Sequence, residues 1–200
     1  MIIDIAKKHD LYIFSDEVYR FLEYDEKDRL PAMCDIYNKG ISLGDMSKAF
    51  ALPGLRIGWI ATKDKSLIKK IISFKHYTSI CNSAPSEFFS ILTLRNKEYF
   101  VKRNLKLIEN NLKILGKFFD NYSRLFTWIK PQAGLIAFPR IKFNKNVEEF
   151  CIDLLNKKGV LLMPSTNFNF GDKHFRIGFG RKSMPEALEK LEEYIQENLL

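Results

Sequence analysis

Cysteine is scarce in this chain: there are three, Cys34, Cys81 and Cys151, far apart and with no C-x-x-C pair among them. That excludes a zinc ribbon and a disulfide framework and leaves idle thiols in a reducing cytoplasm as the expectation. Long apolar runs are missing as well. Without about 18 uninterrupted apolar residues, no membrane span is expected. Residues 1–10 lack the basic leader, apolar stretch and small-residue cleavage site of a secretory signal. Repeats, low-complexity tracts and flexible linkers are also missing. What the chain does hold is apolar material, with 46% hydrophobic residues and 17 Phe. That is too much to stay solvated and disordered. A length of 200 residues suits one domain or two small ones, with room for a real core.

The net charge is +8, from 32 Lys and Arg against 24 Asp and Glu. These cations are scattered among acids along the whole chain, and the denser pieces, such as Lys69-Lys70, alternate with apolar residues. This is the pattern of a Lys-rich solvated surface, and neither nucleic acid nor membrane is expected as a partner.

The first half alternates helix and strand. Residues 1–10 read as an amphipathic helix, 11–14 as a buried strand, and 41–43 and 56–61 as two more. Helical periodicity follows over 66–77, and 85–94 is a helix with Pro85 in its first turn. Buried strands between helices argue for an α/β layered domain. The second half opens with a long helix over 98–122, whose Val101, Leu105, Ile108, Leu112, Leu115 and Phe119 form one apolar stripe. Strands are expected at 126–129, 135–138, 160–163 and 174–178. A helix over 147–157 starts after Asn146 and stops at Gly159. Ser183 and Glu186 make a second capping-box pattern before the last helix. This half reads as a small α+β unit. Trp59 and Trp128 read as core, and His76 and His174 as structural.

Three segments carry residue types suited to chemistry. In Ser15-Asp16-Glu17-Val18-Tyr19 an acid stands where a strand ends, which is where α/β sheets bind ligands, with a Tyr three residues on. In Ser47-Lys48-Ala49-Phe50-Ala51-Leu52-Pro53-Gly54-Leu55-Arg56 a Lys sits among small residues. Such neighbours allow a pocket, where an amine can serve as a nucleophile. Arg56 follows a Pro-Gly turn and opens an apolar strand, so it calls for an anionic partner. In His174-Phe175-Arg176-Ile177-Gly178, Arg176 faces away from its apolar neighbours and suits bidentate capture of a carboxylate.

Taken in this order, the three segments resemble the class I/II aminotransferases among the fold-type I pyridoxal phosphate enzymes. The D-x-x-Y of Asp16 and Tyr19, the S-K of Ser47 and Lys48, the R-x-G of Arg56 and the late-strand Arg176 all match the family pattern, over the whole chain. The resemblance implies pyridoxal 5'-phosphate as cofactor and amino transfer between an amino acid and a 2-oxo acid. It implies that Lys48 holds the cofactor as an aldimine and moves the proton at the substrate α-carbon. Asp16 would pair with the pyridine nitrogen, and Tyr19 would bond the ring's phenolic oxygen. Ser47 and Arg56 would hold the phosphate, and Arg176 the substrate carboxylate. Asp45 departs from the pattern, because many relatives carry a phosphate-binding hydroxyl there. The loop 78–83 sits where family members often send a loop toward the partner subunit's cofactor, and it reads equally as a plain helix-to-helix connection, the reading preferred here.

The resemblance further implies that residues 1–97 are the C-terminal part of the large cofactor-binding domain, with its mixed, mostly parallel sheet. Residues 98–200 would be the small α+β domain, and the full-length form a cytoplasmic homodimer. Met1 is then expected to be a fragment start and the first strand to show an open edge with apolar faces. The isolated chain is expected to be inactive. Two alternatives stay open: another pyridoxal phosphate reaction on the same scaffold (lyase, decarboxylase or oxidase), and a non-catalytic binding module.

Overall fold

The computed structural model describes all 200 residues, Met1–Leu200. They form two compact units, Met1–Asn104 and Leu105–Leu200, and the division falls inside one long helix.

The first unit contains α1 (Ile2–Lys8), β1 (Ile13–Asp16), α2 (Met33–Ile36), β2 (Gly40–Asp45), β3 (Gly58–Thr62), α3 (Lys65–Thr78), α4 (Ala84–Arg95) and the start of α5 (Lys97–Asn121). Its sheet has the order β1-β2-β3. β1 runs parallel to β2, with Asp16 opposite Leu43, and β3 runs antiparallel to β2. Gly44 is required in β2 because a Cβ there would lie 2.5 Å from the Trp59 indole across the strands. Asp64 caps α3, its Oδ1 accepting from the backbone N–H of Ser66 at 2.9 Å and of Leu67 at 3.0 Å.

Three sequence expectations are corrected here. The first strand starts two residues later than its apolar run, and that run is not buried. Leu11 is 52% and Phe14 58% exposed, and β1 is an edge strand with a neighbour on one side only. Trp59 is 39% exposed and lies outside the core, and Trp128 is half-buried. Arg56 does not open a strand. It ends the 3-10 turn Pro53–Leu55 in the left-handed region at φ 53°, two residues before β3.

Apolar surface is abundant in this unit. α3 buries no residue at all, and α4 buries only Ser90 and Thr93 while Phe88, Phe89, Ile91, Leu92 and Leu94 stay exposed.

The second unit holds the rest of α5, then β4 (Phe126–Thr127), β5 (Ile136–Ala137), β6 (Arg140–Ile141), α6 (Val147–Lys158), β7 (Met163–Pro164), β8 (Phe175–Gly178) and α7 (Met184–Asn198). β8 is the centre of an antiparallel sheet of order β5-β8-β7, and β4 pairs with β6. The core gathers the apolar stripe of α5, where Ile108, Leu112, Leu115 and Phe119 are buried, against Phe126, Phe150, Phe175 and Tyr194. The ring centroids of Phe126 lie 6.3 Å from Phe150 and 5.9 Å from Phe175. α6 begins where Asn146 Oδ1 accepts from the Glu148 N–H at 2.8 Å. It ends at Gly159, whose φ of 69° suits a residue without a Cβ. The second capping box does not form, since Ser183 makes no side-chain cap hydrogen bond. No helix is long and apolar enough to cross a membrane.

Candidate functional site

Because β1 and β2 are parallel, their carboxyl ends emerge side by side. Asp16 closes β1 with an exposed side chain whose Oδ1 accepts from the Val18 N–H at 3.2 Å. The chain then turns sharply, with the Arg20 N–H donating to the Glu17 carbonyl at 2.9 Å and the Leu22 N–H to the Tyr19 carbonyl at 3.0 Å. Phe21 sits at φ 76°, a costly conformation for a bulky residue. Its N–H is held by Glu23 Oε2 at 3.0 Å, which also accepts from Arg29 Nε at 3.0 Å.

Glu17 anchors this turn. Its Oε1 accepts from Ser42 Oγ at 2.7 Å and from the Met33 N–H at 2.8 Å, and its own N–H donates to the Leu43 carbonyl at 2.9 Å. The turn carrying Asp16 and Tyr19 is thereby tied to β2 and α2.

Beyond β2 the chain makes a second turn, residues 45–52. Asp45 Oδ1 accepts from the Ser47 N–H at 3.0 Å, so the acid that departs from the family pattern is engaged with the backbone of the S-K segment. Met46, Ala49 and Phe50 are buried and act as anchors on either side of Lys48. The Ala51 N–H donates to the Lys48 carbonyl at 3.1 Å, and Ala51 has φ 55°. From α5, buried Asn104 donates its Nδ2 to the Ala49 carbonyl at 2.8 Å, while its Oδ1 accepts from Arg103 Nε at 3.2 Å. Half-buried Lys48 reaches the first turn, with its Nζ 5.9 Å from the Tyr19 ring centroid.

Of the residues singled out from sequence, Asp16, Tyr19, Ser47, Lys48 and Arg56 lie in the first unit and Arg176 in the second. Lys48 and Tyr19 meet directly. Arg56 is exposed, and its guanidinium donates to the Pro53 carbonyl at 2.8 Å, which keeps its own turn closed. Arg176 is exposed at the middle of β8, with its guanidinium 5.6 Å from the Phe168 ring centroid. A cavity of about 50 Å³ behind the two turns, lined by Glu17, Phe21, Asp45 and Phe50 among others, is water-sized.

Sequence reasoning missed Glu17 and Asn104. Glu17 lies inside the D-x-x-Y motif, and its partners Met33 and Ser42 are 16 and 25 residues away in sequence. Asn104 had a signal, since Asn104 and Asn111 stand seven residues apart beside the apolar stripe of α5, as buried polar groups on one helix face do. Asn111 holds the second unit in the same manner, its Nδ2 donating to the carbonyls of Phe179 at 2.9 Å and Arg181 at 2.8 Å.

The side chains offered at the two strand ends are an amine, a carboxylate, a phenol, a hydroxyl and a guanidinium. Known proteins share this framework. The chain is 26% identical to aromatic-amino-acid aminotransferase 2 of Thermococcus litoralis and 26% to aspartate aminotransferase of Pyrococcus abyssi. In each case the similarity covers 100% of this chain and 52% of the relative. The chain thus spans about half the length of the curated relatives it matches. It superimposes on the crystal structure of a PLP-dependent aminotransferase from Streptococcus suis with a TM-score of 0.90 at 32% identity, over 98% of this chain and 51% of that one. The fold is therefore that of the fold-type I aminotransferases, whose cofactor is pyridoxal phosphate. With a family profile described as aminotransferase class I and II matching residues 1–193, the chain belongs to that family.

Proposed function

We propose that this chain carries the lysine-bearing wall of a transaminase site that moves an amino group between an amino acid and a 2-oxo acid. The observation that carries the proposal is the meeting of the two turns at the carboxyl ends of parallel β1 and β2. There Lys48 and Tyr19 come together, in the turns that follow Asp16 and Asp45, at the position where α/β sheets bind ligands.

The donor set fits pyridoxal phosphate. Lys48 offers an amine to its aldehyde, Asp16 an exposed carboxylate to its ring nitrogen, and Tyr19 a phenol to its ring oxygen. Ser47 and Arg56 offer a hydroxyl and a guanidinium to its phosphate. When bound, the cofactor supplies an electron sink for the pair left at the substrate α-carbon. Asp16 keeps a proton on the ring nitrogen by its charge. Lys48 takes the α-proton and returns it, so its amine must stay mobile while its backbone stays fixed. The buried anchors Met46, Ala49 and Phe50 and the Asn104 hydrogen bond to Ala49 support that division. Arg176 grips the substrate carboxylate and so sets which α-bond is cleaved.

Residues 1–97 then belong to the large cofactor-binding domain and 98–200 to the small one. The relatives' length being about twice this chain's, we assign steady turnover to the protein at that length, as a cytoplasmic homodimer. The test is a single-turnover assay with bound pyridoxal phosphate and an L-amino acid. One equivalent of 2-oxo acid per cofactor, lost in Lys48→Ala, is expected. Release of ammonia or carbon dioxide instead would assign a lyase, oxidase or decarboxylase.

A further inference from the structure

The exposed face of the second unit's sheet has an unusual composition around Arg176. β8 turns Phe175 and Ile177 into the core and Arg176 outward. The outer face of such a sheet is ordinarily polar. Here the pairing Ala137↔Ile177 and the bridge Arg140↔His174 put Phe138 directly opposite Arg176. Phe138 stacks on His174 with centroids 5.2 Å apart and planes at 12°, and it meets Phe168 at 6.0 Å and Phe170 at 5.6 Å. Phe168 in turn lies under the Arg176 guanidinium. These rings are not hidden, for Phe138 is 37%, Phe168 45% and Phe170 58% exposed.

We propose that Arg176 and this ring collar form a subsite for a carboxylate joined to an aromatic group, so that the amino acid and 2-oxo acid handled here are aromatic. The proposal rests on Arg176 being the carboxylate-binding residue. Three observations favour it over the alternatives. Arg176 has no ion pair with an acid of the chain, so a cation is left for a ligand anion. Stacking on Phe168 covers one face of the guanidinium and leaves its N–H fork for a carboxylate. A group attached to that carboxylate then falls among exposed rings, which reward an aromatic neighbour more than a polar one.

A dicarboxylic ligand is the main competitor, because Arg140 lies on the same face. On the four-residue block of Phe138, Arg140, His174 and Arg176, however, the stacked Phe138–His174 pair forms one diagonal and the two arginines the other. The rings therefore stand between the cations. Burial and the Arg140 charge push the His174 imidazolium down from its ordinary value, so the stacked ring is neutral at pH 7 and adds no third positive charge.

The experiment measures binding of propionate, 3-phenylpropionate and succinate to the 200-residue chain by NMR shift titration. The aromatic acid should bind about tenfold more tightly than either of the others. Phe138→Leu and Phe170→Leu should bring the affinities for 3-phenylpropionate and propionate together, and Arg176→Gln should weaken all three acids. Equal binding of propionate and 3-phenylpropionate, tighter binding of succinate, or no 3-phenylpropionate binding at millimolar concentration overturns the aromatic subsite. If binding is indifferent to Arg176→Gln, the carboxylate role of Arg176 fails instead.

Discussion

At the scale of single residues, the fixed points of the site are polar groups that bind backbone. Asn104 is 6% exposed and spends its amide on the Ala49 carbonyl, one residue past Lys48. Truncation would leave that buried carbonyl unpaired, a cost of about 1–3 kcal/mol. Asn104→Ala should therefore lower the unfolding free energy by that amount, seen as a lower urea midpoint at an unchanged slope. The thiols differ by environment. Desolvation pushes Cys151 up to about 12, whereas Cys81 is exposed. At pH 8 a thiol reagent should modify Cys81 quickly and Cys151 only after denaturant is added.

Asp153 sets an acid limit. The Tyr194 hydroxyl, donating at 2.6 Å, and then Lys145 and Lys157 hold its carboxyl down to about 2. A folded value below the unfolded one, about 3.9, means that the stabilisation is complete above the unfolded value. It is lost as pH falls toward 2. Asp153→Asn should flatten the decline of stability between about pH 4 and 2, as followed by circular dichroism in urea.

At the scale of elements, helices were legible because periodicity and end signals agree. The stripe of α5 and the Asn146 and Gly159 boundaries of α6 correspond to the observed helices. Asn146→Ala should cost about 1 kcal/mol in thermal or urea unfolding, the usual price of a lost cap. Ser183 had the same pattern and makes no cap bond, so a motif names a candidate and backbone geometry decides. Strands were less legible. An apolar run shows that side chains are apolar, and not whether anything covers them. The apolar runs holding Leu11, Phe14 and Trp59 suggest burial on that ground alone, yet all three are exposed, with Trp59 lying across Gly44. α4 is the sharpest case, because its buried residues are Ser90 and Thr93 and its exposed ones are Phe and Leu. Its composition reads as a core helix, and only the packing reveals that its apolar side chains stay about half exposed.

At the scale of the whole molecule, the family was legible from three short motifs, because each joins residue types that chemistry needs, two at strand ends and one within a strand. The anchors Glu17 and Asn104 were not, because their partners lie 25 and 55 residues away in sequence. The same limit applied to the ring collar of Arg176, which draws on segments around residues 138, 168 and 174 that are distant until the sheet forms. An open β1 edge and the apolar surface of the first unit agree with a chain that spans about half of its relatives' length. The central claim is that Lys48, and no other lysine, is poised for an aldehyde cofactor. It is tested most directly by adding pyridoxal phosphate to the chain, reducing with borohydride and mapping the modified peptide by mass spectrometry. One label per chain is expected, on Lys48, lost in Lys48→Ala with no new site gained. Label spread over surface lysines, with Lys48 no more reactive than the rest, would contradict it.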